Sequence, residues 1–351
     1  MKIAVYGASG FTGRLVVAEL ARRGISTVLA GRSLGRLREA AAQAGMPGAE
    51  ARCASLDDAV LPDSFADCAA VINCAGPFIA SGEPVVRAAI TAGCHYVDIA
   101  GEQLYLKRIF DWFATDAANA GVTVVPGVND DGLPSSLIAH LAAGQVEPVQ
   151  ELVIALDLSR TGAAPSRGSL RSALANLSTF KDGGLCFDEG TWRPDIPARR
   201  TSMTFPDEPQ PVPVVKFPLP GVVTIPRHVI ASHVEGVTKA TLVEAFSQVT
   251  PELIDNVPDG PPAGSRSATI WTIVADATGS DGRCARGVVS GHDTYGATAL
   301  IAVEGARRLA AGSAQAGVLA PAQAYDPADF LDFLAQHGIS WSIEVGAAKA
   351  A

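Results

Sequence analysis

Lys2-Ile3-Ala4-Val5-Tyr6-Gly7-Ala8-Ser9-Gly10-Phe11-Thr12-Gly13 opens the chain, and its reading decides the fold. Residues 2–6 are a short apolar run of strand type, and residues 13–23 follow with Leu15, Val16, Leu20 and Ala21 on one side of a helical period. Between the two, glycine recurs at every third position. Such a turn needs glycine where the backbone takes a positive φ or comes close to a diphosphate, and the helix behind it offers free N–H groups and positive dipole. Strand, glycine turn and amphipathic helix therefore predict a dinucleotide-binding βα unit, with Gly7, Ser9, Gly10, Phe11, Thr12 and Gly13 as the diphosphate cradle.

Working outward, residues 27–30 form a second strand, and an alanine-rich helix runs from there to about residue 45. Strands at 70–74, 95–100 and 122–126 alternate with helices at 84–92 and 104–120. This alternation predicts an α/β protein, a Rossmann doubly wound parallel sheet. Beyond a helix at 133–143 the texture changes, and β-branched runs at 152–158 and 268–275 suggest a second, mixed α+β domain. Nine of the 23 prolines fall in 194–226, which reads as a long ordered loop, either a lid or a surface excursion. Helical periods return at 294–311 and 327–336. The expected organisation is a dinucleotide-binding domain at 1–130, a substrate or dimerisation domain at 131–293, and C-terminal helices at 294–351 returning to the first domain.

A chain of 351 residues suits two cores, and 48% hydrophobic with 18% charged residues excludes global disorder. The formal charge of -9 opposes binding to nucleic acid or an anionic membrane. No apolar run reaches the ~18 residues that span a bilayer, and the first residues read as a strand, so a cytoplasmic protein is expected. Six cysteines without a Cys-x-x-Cys pair fit thiols in a reducing compartment and give no metal site. Small-molecule or carrier-bound substrates remain the default partners, and a homodimer is compatible with the sequence.

The coenzyme is read from the tip of the second strand, Gly31-Arg32-Ser33, which has no acidic residue before Glu39. An acidic residue there binds a free ribose hydroxyl and an arginine a 2'-phosphate, so NADPH (NADP) is expected, with Arg32 as the clamp and Arg36 as a helper. Asn73, Ala75, Gly76, Pro77 and Phe78 end another strand, where ligands collect, and are expected near the nicotinamide.

These motifs, with Gly93-Cys94-His95-Tyr96-Val97-Asp98-Ile99-Ala100-Gly101-Glu102, Pro126-Gly127-Val128-Asn129-Asp130-Asp131-Gly132-Leu133-Pro134-Ser135, Ser166-Arg167-Gly168-Ser169 and Ala316-Gly317-Val318-Leu319-Ala320-Pro321, make the chain resemble the saccharopine dehydrogenase-like reductases, including the trans-acting enoyl reductase branch. The resemblance runs nearly end to end and implies an NAD(P)H-dependent oxidoreductase acting on C=N or C=C bonds. It departs near Asn129-Asp130, where that family commonly has a Phe-Asp-Ser type run. Short-chain dehydrogenases are set aside because none of the five tyrosines has a lysine four residues on.

Reduction of either bond leaves a charge that a general acid or oxyanion donor must meet. Tyr96 and Asp98 share a strand face by parity; hydrogen bonding inside the sheet is the competing account. Asp130 and Asp131 follow the next strand, where adjacent carboxylates raise each other's pKa, and the N-cap of the helix near Leu133 is the alternative. Arg167 and Arg171 stand four apart at a helix start, placed either to anchor an anion or to face solvent. The catalytic candidates are thus Tyr96, Asp98, Asp131 and Arg167. His292-Asp293-Thr294-Tyr295 either faces the cleft or caps the returning helix, and His228 with His233, five apart, do not converge on a metal. A non-catalytic NADPH-binding regulator or scaffold is the alternative function. An enclosed polar pocket would favour catalysis, and a filled one sensing.

Overall fold

The computed structural model describes residues 1–160, 165–312 and 314–347, so residues 348–351 of the expected C-terminal segment lie outside the described residues. The chain opens with β1 (Lys2–Tyr6), α1 (Phe11–Arg22), β2 (Ser26–Gly31), α2 (Leu34–Gln43) and β3 (Glu50–Cys53). It continues through β4 (Ala70–Asn73), α3 (Phe78–Thr91), β5 (His95–Asp98), α4 (Gln103–Asn119) and β6 (Thr123–Val125). Next come α5 (Gly132–Ala143), β7 (Val149–Arg160), α6 (Arg167–Ala175), α7 (Leu177–Asp182), β8 (Cys186–Asp188) and β9 (Thr191–Arg193). Then follow β10 (Ser202–Met203), β11 (Val212–Lys216), α8 (Gly221–Thr224), β12 (Ala231–Lys239) and α9 (Ala240–Ser247). The remainder is α10 (Pro251–Asn256), α11 (Ala263–Ser267), β13 (Ile270–Gly279), β14 (Arg283–His292), α12 (Thr294–Ala310), β15 (Gly317–Val318), α13 (Pro321–Ala324), α14 (Pro327–Ala335) and β16 (Ser340–Ala347).

The first sheet is parallel, in the order β15-β6-β5-β4-β1-β2-β3. This is the expected doubly wound topology, with its crevice where the order reverses between β1 and β4. The short β3 was not among the expected strands, because this outer strand carries Glu50 and Arg52 and has no fully buried residue. Helix α3 begins at Phe78, six residues before the expected Pro84. The Glu102 carboxylate accepts the Phe78 and Ile79 N–H groups at 2.8 and 2.7 Å and so caps a first turn that Pro84 does not start.

The second sheet runs β10-β11-β12-β7-β13-β14-β16, mixed because β12 and β7 are parallel while the other neighbours are antiparallel. Strand alternation divides β7: Leu152, Ile154 and Leu156 join the main core, whereas Val153 and Ala155 face the other way. On that other face the proline-rich stretch is a cover. Met203, Phe205 and Val214 pack on Val153, Val237 and Val274, and β11 pairs regularly despite Pro213.

Helix α12 returns to the first sheet, where Ile301, Ala302 and Val303 share a core with Val16, Leu20, Ile72 and Val97. Strand β15 extends that sheet beside β6, but β16 pairs with β14 in the second sheet instead of following the helices. Among the described residues, no helix is long and apolar enough to cross a membrane.

One buried carboxylate ties α12 to α1. Glu304, 1% exposed, accepts from Arg23 Nη1 at 2.7 Å, Arg307 Nη2 at 2.7 Å and Arg308 Nε at 2.8 Å. Burial pushes this carboxyl up, but the guanidiniums of Arg307, Arg308 and Arg23 outweigh burial and hold it at about 2. Because the folded value lies below the unfolded one, the stabilisation is full above about pH 4.5 and fades as pH falls toward 2. Glu304→Gln is expected to cost about 2 kcal/mol in urea unfolding at neutral pH, since it removes a buried charged acceptor, although Arg23 keeps Glu19 and Arg308 keeps Asp329. The gap between the two proteins should narrow below about pH 4.5; a gap that stays constant down to pH 3 would contradict this account.

Candidate functional site

β1 delivers Gly7 into the turn at φ 78°, a left-handed conformation that favours glycine. A Cβ on Gly7 would lie 2.9 Å from the Ala75 nitrogen, and one on Gly13 only 2.2 Å from the Gly7 oxygen. Strand, turn and helix therefore meet backbone to backbone at the crevice. Gly10 is the N-cap of α1, and among the described residues no side chain bonds to the first N–H groups of the helix, leaving donors for an anion. A cradle with no room for a Cβ at Gly7 or Gly13, edged by N–H groups without a side-chain partner among the described residues, fits a diphosphate. Nearby, the Ser9 carbonyl accepts from Arg14 Nη1 at 2.8 Å, the Phe11 ring meets Tyr295 edge-on at 5.1 Å, and Thr12 enters the wall of a cavity.

At the end of β2, Gly31 is buried while Arg32, Ser33 and Arg36 are exposed. Neither guanidinium has a hydrogen bond or ion pair among the described residues, which suits a ribose phosphate. After β4, Asn73 shapes the turn: its Oδ1 accepts from the Ala75 N–H at 3.0 Å and its Nδ2 donates to the Tyr96 hydroxyl at 3.0 Å. Pro77 is the N-cap of α3, and Gly76 sits so close to α6 that a Cβ would lie 3.1 Å from Ser172 Oγ.

The cavity, of about 440 Å³, lies between this turn and the second domain. Cys74, Gly76 and Phe78 line it from the first sheet, and Leu156, Leu158, Phe180, Phe217, Leu242 and Phe246 form an apolar wall opposite. Phe180 and Phe246 stack with centroids 5.2 Å apart. These aromatics were not anticipated, since each belongs to a separate short element and no local period groups them.

The four residues singled out for chemistry separate clearly. Tyr96 and Asp98 are fully buried and absent from the cavity wall. Asp98 accepts from the Tyr96 hydroxyl at 3.1 Å, the Tyr105 hydroxyl at 2.8 Å, the Ala100 N–H at 3.1 Å and the Gly127 N–H at 2.9 Å. Burial pushes its carboxyl up to about 6 against the pull of those donors. Arg167 is engaged with the chain itself: Nε and Nη2 donate to the Val257 carbonyl at 3.2 and 2.7 Å, and Nη1 pairs with Asp259 at 3.2 Å. Asp259 also lies 3.9 Å from Arg14, and Gly260 packs on Phe11, where a Cβ would come within 2.3 Å of the ring. Arg171 is exposed.

Asp131 differs from these three. It lines the cavity and occupies the N-cap position of α5, yet its side chain makes no capping bond, and its Oδ1 is buried with no hydrogen-bond partner. Asn129 Oδ1 takes the Gly132 N–H instead, at 2.8 Å. Neighbouring Asp130 accepts from Thr298 Oγ1 at 2.7 Å. Burial pushes both carboxyls above the usual range, and the Asp131 charge adds to the effect on Asp130.

Around α12, Asp293 caps the helix through the Gly296 N–H at 3.0 Å, while Tyr295 reaches the cavity and its hydroxyl accepts the Ser166 N–H at 2.7 Å. Arg266 also lines the cavity, though nothing in its Gly-Ser-Arg-Ser surroundings marks it in the sequence. The two histidines go to separate places. His228 meets His140 at 3.2 Å, and His233 sits between Asp188 at 2.8 Å and Glu235 at 3.2 Å, near Cys186.

Residues 3–125 match the family model described as the saccharopine dehydrogenase NADP binding domain. The saccharopine dehydrogenase-like oxidoreductase of Mus musculus is 30% identical over 213 residues, 55% of this chain and 45% of that protein. The trans-acting enoyl reductase of Mycobacterium bovis is 35% identical over 141 residues, 38% of this chain and 34% of that protein. The chain thus covers less than half the length of these relatives. The apo saccharopine dehydrogenase (L-Glu forming) of Saccharomyces cerevisiae has the same fold, with a TM-score of 0.62 at 14% identity over 99% of this chain and 100% of that one. Residues 3–125 thus match a saccharopine dehydrogenase NADP binding domain, and the chain as a whole is similar to saccharopine dehydrogenase in fold.

Proposed function

We propose that the chain is a cytoplasmic NADPH-dependent reductase of a C=N or C=C bond in a small metabolite or carrier-bound intermediate. The observation that carries this reading is the unpaired, buried Asp131 Oδ1 in a cavity that starts at the glycine turn. An NADPH sensor has no need of such a chamber, and the relatives named enoyl reductases favour the C=C branch.

In this reading Gly7, Ser9, Gly10, Phe11, Thr12 and Gly13 hold the diphosphate, Arg32 the 2'-phosphate, and Asn73, Ala75, Gly76, Pro77 and Phe78 border the nicotinamide. Bound there, NADPH supplies two electrons and one hydrogen. The chain supplies the matching proton. Burial keeps Asp131 protonated to higher pH than an ordinary carboxyl, and its unpaired Oδ1 hands the proton to the substrate atom left negative. Asp130 beside it is also held protonated above the usual range, by burial and by the Asp131 charge, so the pair avoids two enclosed negative charges side by side. Tyr96 and Asp98 act as positioning residues through the loops at Ala100 and Gly127, and Arg167 through the segment it fastens against the glycine turn.

Two outcomes are expected. Arg32→Met should weaken NADPH binding at least about ten-fold in fluorescence titration while leaving NADH binding unchanged, as loss of a charge-assisted phosphate contact requires; equal losses for both coenzymes would remove Arg32 from the 2'-phosphate site. With α,β-unsaturated thioesters and cyclic imines as acceptors, NADPH oxidation should fall as pH rises through the elevated Asp131 pKa, because the donor is active only when protonated. Asp131→Asn should lower kcat by about 10² or more and abolish that limb. An unaltered pH profile in the variant would exclude Asp131 as the donor.

A further inference from the structure

Arg266, at the end of α11, lines the cavity with a side chain only 14% exposed. Its Nε and Nη1 are buried and make no hydrogen bond. Asp293 Oδ2 pairs with Nη1 at 3.4 Å while its Oδ1 accepts the Gly296 N–H at the start of α12, so Nε is the buried donor without any partner among the described residues. A guanidinium stays charged in a protein, so buried donors left unmade are costly unless a ligand fills them. Arg266 is also the sole lysine or arginine among the described residues that line the cavity. Of the three carboxylates there, Glu102 is engaged by Phe78 and Ile79, Asp130 Oδ1 by Thr298, and Asp131 keeps a buried oxygen with no partner. The rest of the wall is largely apolar, with Leu156, Leu158, Phe217 and Leu242.

We propose that Arg266 anchors an anionic oxygen group borne on an apolar chain, which makes the cavity selective for amphipathic acids and against amine-headed ligands. The anion is either a free carboxylate or the phosphate of a carrier arm. This rests on the reductase reading only in taking the glycine turn as the coenzyme's site. Asp293 holds the guanidinium from one side through Nη1, the Phe11 ring 5.8 Å away screens it from another, and its Nε remains for the ligand. An apolar chain entering behind that head is drawn from water by the leucine and phenylalanine wall.

The test is calorimetric titration of the NADP⁺-loaded chain with octanoate, octyl phosphate, octanol and octylamine. At least one of the two anions should bind about ten-fold or more tighter than octanol, and octylamine should bind no better than octanol. The tighter anion names the source, carboxylate or carrier phosphate. Arg266→Met should remove the preference over octanol, Arg266→Lys should restore part of it, and NADPH affinity should stay within about two-fold in both. Equal binding of the anions and octanol by the unmodified chain, or no binding of either anion, overturns the proposal without any variant having to fold. A loss of NADPH affinity in Arg266→Met matching the loss for the anion assigns the residue to the coenzyme and also overturns it. Failure of the unmodified chain to bind NADPH defeats the reductase reading instead.

Discussion

Backbone contact between Gly7 and Gly13 is the constraint on which the rest of this site depends. With no Cβ between them, α1 seats directly on the end of β1, and its first N–H groups arrive at the crevice between β1 and β4. The turn after β4 comes equally close, with the Ala75 nitrogen in the space a Gly7 Cβ would fill. Phe11 then projects from the same turn to meet Tyr295 of α12 and Gly260 of the second domain. Both walls of the cavity are thus referred to one short stretch of backbone.

Hydrogen-bond satisfaction separates the groups that build the site from those left to act in it. Asp98 has four donors, Glu102 two and Arg167 two partners, so each is complete within the protein. Asp131 Oδ1 and Arg266 Nε are buried and incomplete. An unmet buried polar group costs more than an ordinary bond returns, so in a cavity wall such atoms favour a ligand that completes them.

The alternation of strand and helix was legible because the inner elements of the first sheet announce themselves within their own residues, as Lys2–Tyr6 and Gln103–Asn119 do. The glycine turn was legible for the same reason. Glu50–Cys53 and Gly317–Val318 escaped because their pairing partners, distant in the chain, make them strands. Parity placed Tyr96 and Asp98 on one face, but only the tertiary neighbours Tyr105 and Gly127 show that this face is closed. Likewise Arg167 and Arg266 look equivalent in sequence. Their difference lies in whether a carbonyl such as that of Val257 happens to stand opposite.

The return of α12 to the first sheet has a consequence for how the chain is made. Ile301, Ala302 and Val303 cover a layer begun by Val16, Leu20, Ile72 and Val97, and Glu304 joins Glu19 as a counter-ion of Arg23. During synthesis, the nucleotide-binding half emerges long before this helix exists, and its apolar flank and one arginine stay wet until the second domain has been translated. Contacts of such sequence separation slow folding, and the apolar flank of the first sheet is covered only once that helix has been made.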